Sequence, residues 1–277
     1  MTASPPRVCF LTDKPDHPLL TSTAALLTRD HRTRVSFANP ATLAESGDEP
    51  ADVYLLKSHT PQAIRLARTF ERRGARVVNS AAATELCQDR VLMAETALAA
   101  GLPFPVTRDV VPLSRITAPP PSGHPFIVKS RANRRGDVVA RIDTADDLRE
   151  LARKWPDEQV VVQDYTTGDG WDHKLWVIAG RVFTAVRPSP LEKRINTTNH
   201  PPPPREAMDL ARRAGEAFAL DVYGVDVITD AAGRPLIVDI NAFPGFRGGE
   251  GAPQALAALI SSATMDACER DTEFPSV

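Results

Sequence analysis

Residues 222–249 read VYGVDVITDAAGRPLIVDINAFPGFRGG. Two apolar-rich runs, 222–229 and 236–240, flank Asp230-Ala231-Ala232-Gly233-Arg234-Pro235, whose residue types are those of a hairpin loop. If Thr229 pairs with Leu236, the register sets Asp226 directly opposite Asp239. Asn241 then falls two residues further along, on the same face as Asp239. Facing carboxylates repel, so the pair restricts what can surround it: either a solvated surface ribbon or a site with a cation between the two acids. Two carboxylates and an amide oxygen are hard donors of the kind Mg²⁺ accepts while keeping positions for water and phosphate oxygens. Taken alone, these residues leave both alternatives open.

The rest of the chain narrows the choice. At 277 residues it is long for one core and comfortable for two or three small units. Its apolar fraction is 42% and its charged fraction 25%, which is ordinary for a soluble protein. A formal charge of −2 gives no electrostatic reason to expect nucleic acid or an anionic membrane as a partner. No apolar run approaches the roughly 20 residues of a bilayer span. The first residues, MTASPPRVCFLTD, lack a basic region followed by an apolar core, so a secretory signal is not expected. Cys9, Cys87 and Cys268 lie far apart without metal-site spacing and read as reduced thiols, in keeping with a cytoplasmic location.

Residues 7–79 alternate strand-like runs (7–12, 34–37, 52–56, 76–78) with helical spacing at 19–27 and 62–72, the pattern of a parallel sheet. No Gly-x-Gly-x-x-Gly follows the first run, so a dinucleotide site is not expected there. A helical stretch follows from residue 80 to Gly101, then a second α/β unit with strands at 126–129 and 138–141, a capped helix from Thr144, and a buried strand at 159–165. These features divide the chain into an N-terminal α/β domain (1–80), a central unit (81–165) opened by a linker helix at 81–101, and a C-terminal unit (166–277). Residues 172–188 read as a hairpin turning at Ala179-Gly180, which pairs Trp176 with Phe183 and Asp172 with Arg187. Asp172, Lys174 and Arg187 then share one face, either as a solvated charge ladder or as a phosphate clamp with its own orienting carboxylate. Residues 191–204 read as a polar loop, 205–220 as a helix, and 254–260 as a short last helix with a frayed tail after Ser262. Lys129 closes an apolar strand and opens the loop 130–137, which carries Arg131, Arg134 and Arg135 but only one glycine, Gly136.

In order, QDRVLMAETALAAGLPFP, PFIVKS, VVVQDYTTGDG, DHKLWVIAGRVFTAVRP and YGVDVI…LIVDINAFPGF resemble the ATP-grasp superfamily in its glutathione-synthetase/RimK-like branch, over residues ~80 to 262. The resemblance implies an α/β and α+β architecture: an ATP-grasp fold behind an N-terminal parallel α/β (pre-ATP-grasp) domain, with ATP held between two α+β halves. It implies nucleotide contacts from Arg90, Lys129, Gln163, Asp164, Tyr165, Asp172, Lys174 and Arg187, with Gln163 to Tyr165 bordering the adenine. It implies one or two Mg²⁺, or Mn²⁺ in their place, on Asp226, Asp239 and Asn241. Lys174 and Arg187 would act at the γ-phosphate, and Arg247 would bind a substrate carboxylate or acylphosphate. Two positions depart from the family pattern: Arg90 replaces a helix-start lysine, and Asp239 replaces the usual glutamate.

The implied reaction is carboxylate–amine ligation through an acylphosphate, with small-molecule or peptide carboxylates and amines as substrates and neither nucleic acid nor a membrane as partner. A homodimer enters only through the family resemblance. Two alternatives stay open. HKLWVIAGRVFTAVRPS and VDINAFPG also resemble the inositol trisphosphate kinases, for which the arginines at 131–135 would suit a polyanionic acceptor. The Arg90 and Asp239 departures would also fit a nucleotide-binding protein without turnover.

Overall fold

The computed structural model describes residues 5–43, 50–121, 123, 125–134, 136–192, 202–246 and 249–273, with backbone alone at 109, 110 and 267–273. The expectations placed on Arg135, on Arg247, on the Cys268 side chain and on most of the loop 191–204 lie outside the described residues.

The first third folds as the alternation predicts. Strands β1 (Arg7–Leu11), β2 (Arg34–Ala38), β3 (Val53–Leu56) and β4 (Arg76–Val78) form a parallel sheet in the order β2-β1-β3-β4. Helix α1 (Pro18–Asp30) covers one face through Leu19, Leu20 and Leu27, and α2 (Pro61–Arg72) covers the other through Ala63, Ile64, Ala67 and Phe70. Both helices begin with proline at the first helical position, where no backbone N–H is needed.

The stretch read as a single linker helix is two helices, α3 (Ala81–Leu86) and α4 (Arg90–Ala99). Asp89 causes the break: its carboxylate accepts the backbone N–H groups of Val91 (2.9 Å) and Leu92 (3.4 Å), a local bond that competes with continued helix. Arg90 is thereby set at the start of α4.

Strands β5 (Thr107–Pro112), β6 (Phe126–Ser130), β7 (Val139–Ile142) and β8 (Gln159–Asp164) form a second sheet, ordered β5-β8-β6-β7, with α5 (Ala145–Lys154) on one side. The third sheet, β10-β9-β11-β12, combines the hairpin β9 (Trp171–Ile178) and β10 (Arg181–Pro188) with the hairpin β11 (Val222–Thr229) and β12 (Pro235–Ala242). The first hairpin turns on Ala179 and Gly180, both at positive φ, and pairs Phe183 with Trp176 and Arg187 with Asp172 as expected. Helix α6 (Arg205–Phe218) packs against one face of this sheet beside α4.

The last helix, α7 (Ala252–Glu273), is 22 residues long, in contrast to the short helix and frayed tail expected. Its buried stripe, Leu256, Ile260 and Ala263, recurs at helical spacing against α1 and the first sheet, and this non-local packing sustains the helix beyond its local signals.

The second hairpin carries the main correction. Asp226 does face Asp239, but Thr229 pairs with Pro235, not with Leu236, and a bulge follows between Asp226 and Val227 that leaves Val238 out of register. The bulged residue turns out to have a use in the site.

Candidate active site

A cavity of about 290 Å³ lies between the second and third sheets. Ile127 and Val139 line it from one sheet, and Ile228, Leu236 and Val238 from the other, an apolar slot of the kind that accepts a flat ring. Arg90, Lys129, Gln163, Asp164, Tyr165, Asp172, Arg187, Asp226 and Asp239 border the same cavity. Lys174 reaches it through Asp226, and Asn241 is linked to the lining residue Asp239 by the Asn133 amide.

The charged end is built from five strands, β6, β9, β10, β11 and β12. Lys129 is 6% exposed and donates to the Val238 carbonyl at 2.7 Å. The bulge thus presents a backbone acceptor to a buried ammonium. Burial pulls the Lys129 pKa down, and Asp239 and Asp226 oppose that pull. Lys174 donates to Asp226 at 2.5 Å. Burial holds the Asp226 carboxyl above its ordinary range; Lys174 counteracts this and the facing Asp239 adds to it. Arg187 donates to Asp172 through Nε (3.2 Å) and Nη2 (3.0 Å), which fixes a half-exposed guanidinium at the cavity rim.

Ser130, Asn133 and Asp137 bear on this end through Arg90. Arg90, 4% exposed, donates to the Ser130 carbonyl (2.8 Å), Asp137 (2.6 Å) and Asn133 Oδ1 (3.0 Å), and lies 3.7 Å from Asp239. Its Nε is buried without a protein partner, a donor left for an incoming acceptor. The Asn133 amide donates to Asn241 Oδ1 (3.1 Å) and to Asp239 Oδ1 (3.4 Å). Asp226, Asp239 and Asn241 therefore converge, each touched by a protein cation or amide N–H. Among the described residues no group of three His, Cys, Asp or Glu side chains is arranged to hold a metal. Two carboxylates and one amide oxygen instead fit a hard cation that completes its shell with water and phosphate oxygens.

At the other end, the Gln163 amide donates to Thr107 Oγ1 at 2.8 Å, and Asp164 is clamped by Arg108 at 2.5 and 3.1 Å. Both side chains are thus engaged by β5, a strand the sequence pattern did not reveal. Tyr165 hydrogen bonds to Glu192 and stacks under the Arg141 guanidinium, 4.1 Å from its ring centroid. Burial, with the Glu192 carboxylate beside it, pushes the Tyr165 hydroxyl up to about 12. Arg141 also donates to the Leu191 carbonyl at 3.3 Å, closing a strap beside the apolar slot.

A family model described as "RimK-like ATP-grasp domain" matches residues 116–255, half of the chain. The chain belongs to the RimK-like ATP-grasp family. A "Probable alpha-L-glutamate ligase" of Parasynechococcus marenigrum (strain WH8102) is 29% identical over 212 residues, covering 70% of this chain and 44% of that protein. A "Ribosomal protein bS6--L-glutamate ligase" of Salmonella paratyphi B (strain ATCC BAA-1250 / SPB7) is 26% identical over 198 residues, 65% of this chain and 64% of that one. The matches thus span between about two-fifths and two-thirds of these relatives. Among solved structures, a RimK domain protein ATP-grasp from Sphaerobacter thermophilus DSM 20745 superposes with a TM-score of 0.72 at 23% identity, covering 94% of this chain and 99% of that one. The ATP-grasp ligase PsnB, in complex with minimal precursor, Mg and ADP, gives 0.65 at 17% identity, covering 95% and 99%. Both are matches of fold.

As an ATP-grasp protein, the chain brings nine of the twelve residues named from its motifs to the lining of one cavity, sets Lys174 on the lining residue Asp226, and ties Asn241 to the lining residue Asp239 through Asn133; Arg247 lies outside the described residues. Asn133, Arg141 and Glu192 went unnoticed because each acts through a partner distant in sequence. Asn133 had one local signal, an amide among arginines in a loop beginning at Lys129.

Proposed function

We propose that the chain is an ATP- and Mg²⁺-dependent carboxylate–amine ligase. The observation that carries this is Asp226 facing Asp239 at the polar end of an apolar cavity, with Lys129, Lys174 and Arg187 around them. The slot between Ile127, Val139, Ile228 and Leu236 would take the adenine, and the basic end the triphosphate. Asp226, Asp239 and Asn241 would hold one or two Mg²⁺, which when bound neutralise charge on the transferring phosphoryl group. Lys129 fixes the phosphates from a buried position. Arg187, oriented by Asp172, stabilises the charge that develops as a substrate carboxylate oxygen bonds to the γ-phosphorus and the bond to ADP breaks. Arg90 would hold Ser130, Asn133 and Asp137 beside the site and help exclude the water that would hydrolyse the acylphosphate. An amine then attacks the acyl carbon, phosphate leaves, and the nitrogen loses a proton. Peptide or protein carboxylates and amino acid amines are the substrate classes in keeping with the relatives' names.

The kinase alternative has less to stand on. Arg131 is paired with Asp89 (2.8 Å) and Arg134 with Glu158 (2.8 Å), so each half-exposed guanidinium already has a carboxylate partner that a polyanionic acceptor would have to displace. Arg90 and Asp239 keep the charge at their positions, so the two departures give no ground for a loss of turnover. Hydroxylamine added with ATP, Mg²⁺ and candidate carboxylates tests the proposal: ATP-dependent hydroxamate is expected, and a phosphorylated alcohol without hydroxamate would overturn it.

A further inference from the structure

The parallel sheet ends next to the candidate active site, and its strand ends carry chemistry that the nucleotide site does not use. In the order β2-β1-β3-β4, the chain leaves β1 over one face through α1 and leaves β3 over the other through α2. The gap between the carboxyl ends of β1 and β3 is the place where open α/β sheets form ligand crevices. Both following loops start side by side there: the backbone N–H groups of Lys57 and Ser58 donate to the Leu11 carbonyl at 3.0 and 2.9 Å. Asp13, Lys14 and His17 come from the first loop, Lys57 and His59 from the second.

Two features of this group lack a structural explanation. His59 Nε2 and His17 Nδ1 have no accessible surface and no hydrogen-bond partner. A buried polar atom in that state loses its hydration without replacement, so it points to a missing partner. Lys57 is held in the same place: its Nζ donates to the Phe243 carbonyl at 2.9 Å and lies 5.6 Å from that ring's centroid. An ammonium has three donors, and the Phe243 carbonyl takes one.

We infer that the crevice at the ends of β1 and β3 binds a carboxylate of the substrate, with Lys57 as its charge partner and His59 as a neutral hydrogen-bonding partner. The inference rests on the ligase assignment for what the substrate is, but on these side chains for where it is held. A carboxylate fits better than a phosphate. Burial pulls Lys57 down to about 8 and His59 down to about 4, so His59 is uncharged at neutral pH and the pair offers one positive charge. Asp13 acts on both groups and Lys14 on Lys57, so these two loop charges offset each other and the single charge of the pair matches a monoanion.

Position decides the role of this carboxylate. Phe243 lies two residues beyond Asn241, about 7 Å along extended chain. A carboxylate on Lys57 is therefore set back from the phosphoryl site and orients the substrate, while a different group reacts. The substrate class is an amino acid or peptide that carries a carboxylate besides the reacting group.

The test uses the full chain, labelled with ¹⁵N-histidine and free of nucleotide, titrated with L-glutamate, L-aspartate and glycine, and with chloride at matched ionic strength. His59→Gln assigns the ring signal. A saturable shift of the His59 nitrogens is expected with at least one amino acid and not with chloride. Lys57→Met should weaken that binding about tenfold or more, the loss of one charge-assisted contact, whereas Lys57→Arg should keep most of it. The inference is overturned if no amino acid moves the signal, if chloride moves it equally, or if a folded Lys57→Met binds as the parent does. Should Lys57→Met fail to fold, unchanged binding in His59→Gln, followed by calorimetry, overturns it instead. Hydroxamate formation with an unmoved His59 would remove this subsite and leave the ligase assignment standing; a responsive His59 without hydroxamate would do the reverse.

Discussion

Replacing Arg90 should loosen the cover of the active site before it affects anything else. Arg90 is 4% exposed and bonds to Ser130, Asn133 and Asp137 within residues 130–137 while lying 3.7 Å from Asp239. Arg90→Ala leaves Asp137 and Asp239 without their nearest guanidinium, and breaking a buried pair from one side costs about 3–5 kcal/mol. Arg90→Lys keeps the charge, but one ammonium cannot reproduce the planar fork that spans Asp137 and Asn133, so about 2 kcal/mol should still be lost. At about 2–4 °C per kcal/mol for a chain of this size, Arg90→Ala should melt about 10 °C lower and Arg90→Lys about 5 °C lower. Urea denaturation gives the free energies, and hydrogen exchange localises them: amides of residues 130–134, 136 and 137 should lose protection in both variants while those of β1 and β3 keep theirs. If Arg90→Ala unfolds within about 0.5 kcal/mol of the parent and residues 130–134, 136 and 137 stay protected, the role given to Arg90 is wrong.

Other perturbations reach other parts of the account. Burial holds His59 at about 4 against an ordinary 6.5, so the unfolded chain binds more protons between those values and stability falls as pH drops from 6.5 towards 4. That contribution is at most about 3 kcal/mol, and urea melts across this range should be flatter in His59→Gln than in the parent. A Cβ at Gly224 would stand 2.9 Å from Pro244 Cγ and 3.3 Å from Trp176 Cδ1, so Gly224→Ala should cost about 1–3 kcal/mol by calorimetry and displace the turn after β12. Arg141→Ala removes the stack on Tyr165 and the tie to Leu191, and should weaken binding of an ATP analogue about tenfold in a fluorescence titration.

What was legible in the sequence follows from which interactions are local. The β9–β10 register could be read because Ala179-Gly180 fixes it from within the hairpin. The facing of Asp226 and Asp239 was also legible, although the bulge at Val238 was not: it is justified by Lys129, 109 residues away, whose ammonium takes the Val238 carbonyl. The length of α7 escaped notice because α1, which buries its stripe, comes from the other end of the chain. Likewise β5 carries no strong alternation and exists through pairing with β8, where Thr107 receives Gln163 and Arg108 holds Asp164. The residues singled out for the nucleotide sit in contiguous motifs, whereas Asn133, Arg141, Glu192 and Lys57 gain meaning only from partners brought close by the fold.

The most direct measurement is calorimetric titration of a non-hydrolysable ATP analogue, with and without Mg²⁺, into the parent chain and into Asp226→Asn and Asp239→Asn. The parent should bind more tightly with Mg²⁺ than without it, and each variant should retain Mg²⁺-free binding while losing most of the gain from the ion. An equal gain from Mg²⁺ in parent and variants would mean that the facing aspartates do not hold the metal, and the account of the site would fall with them.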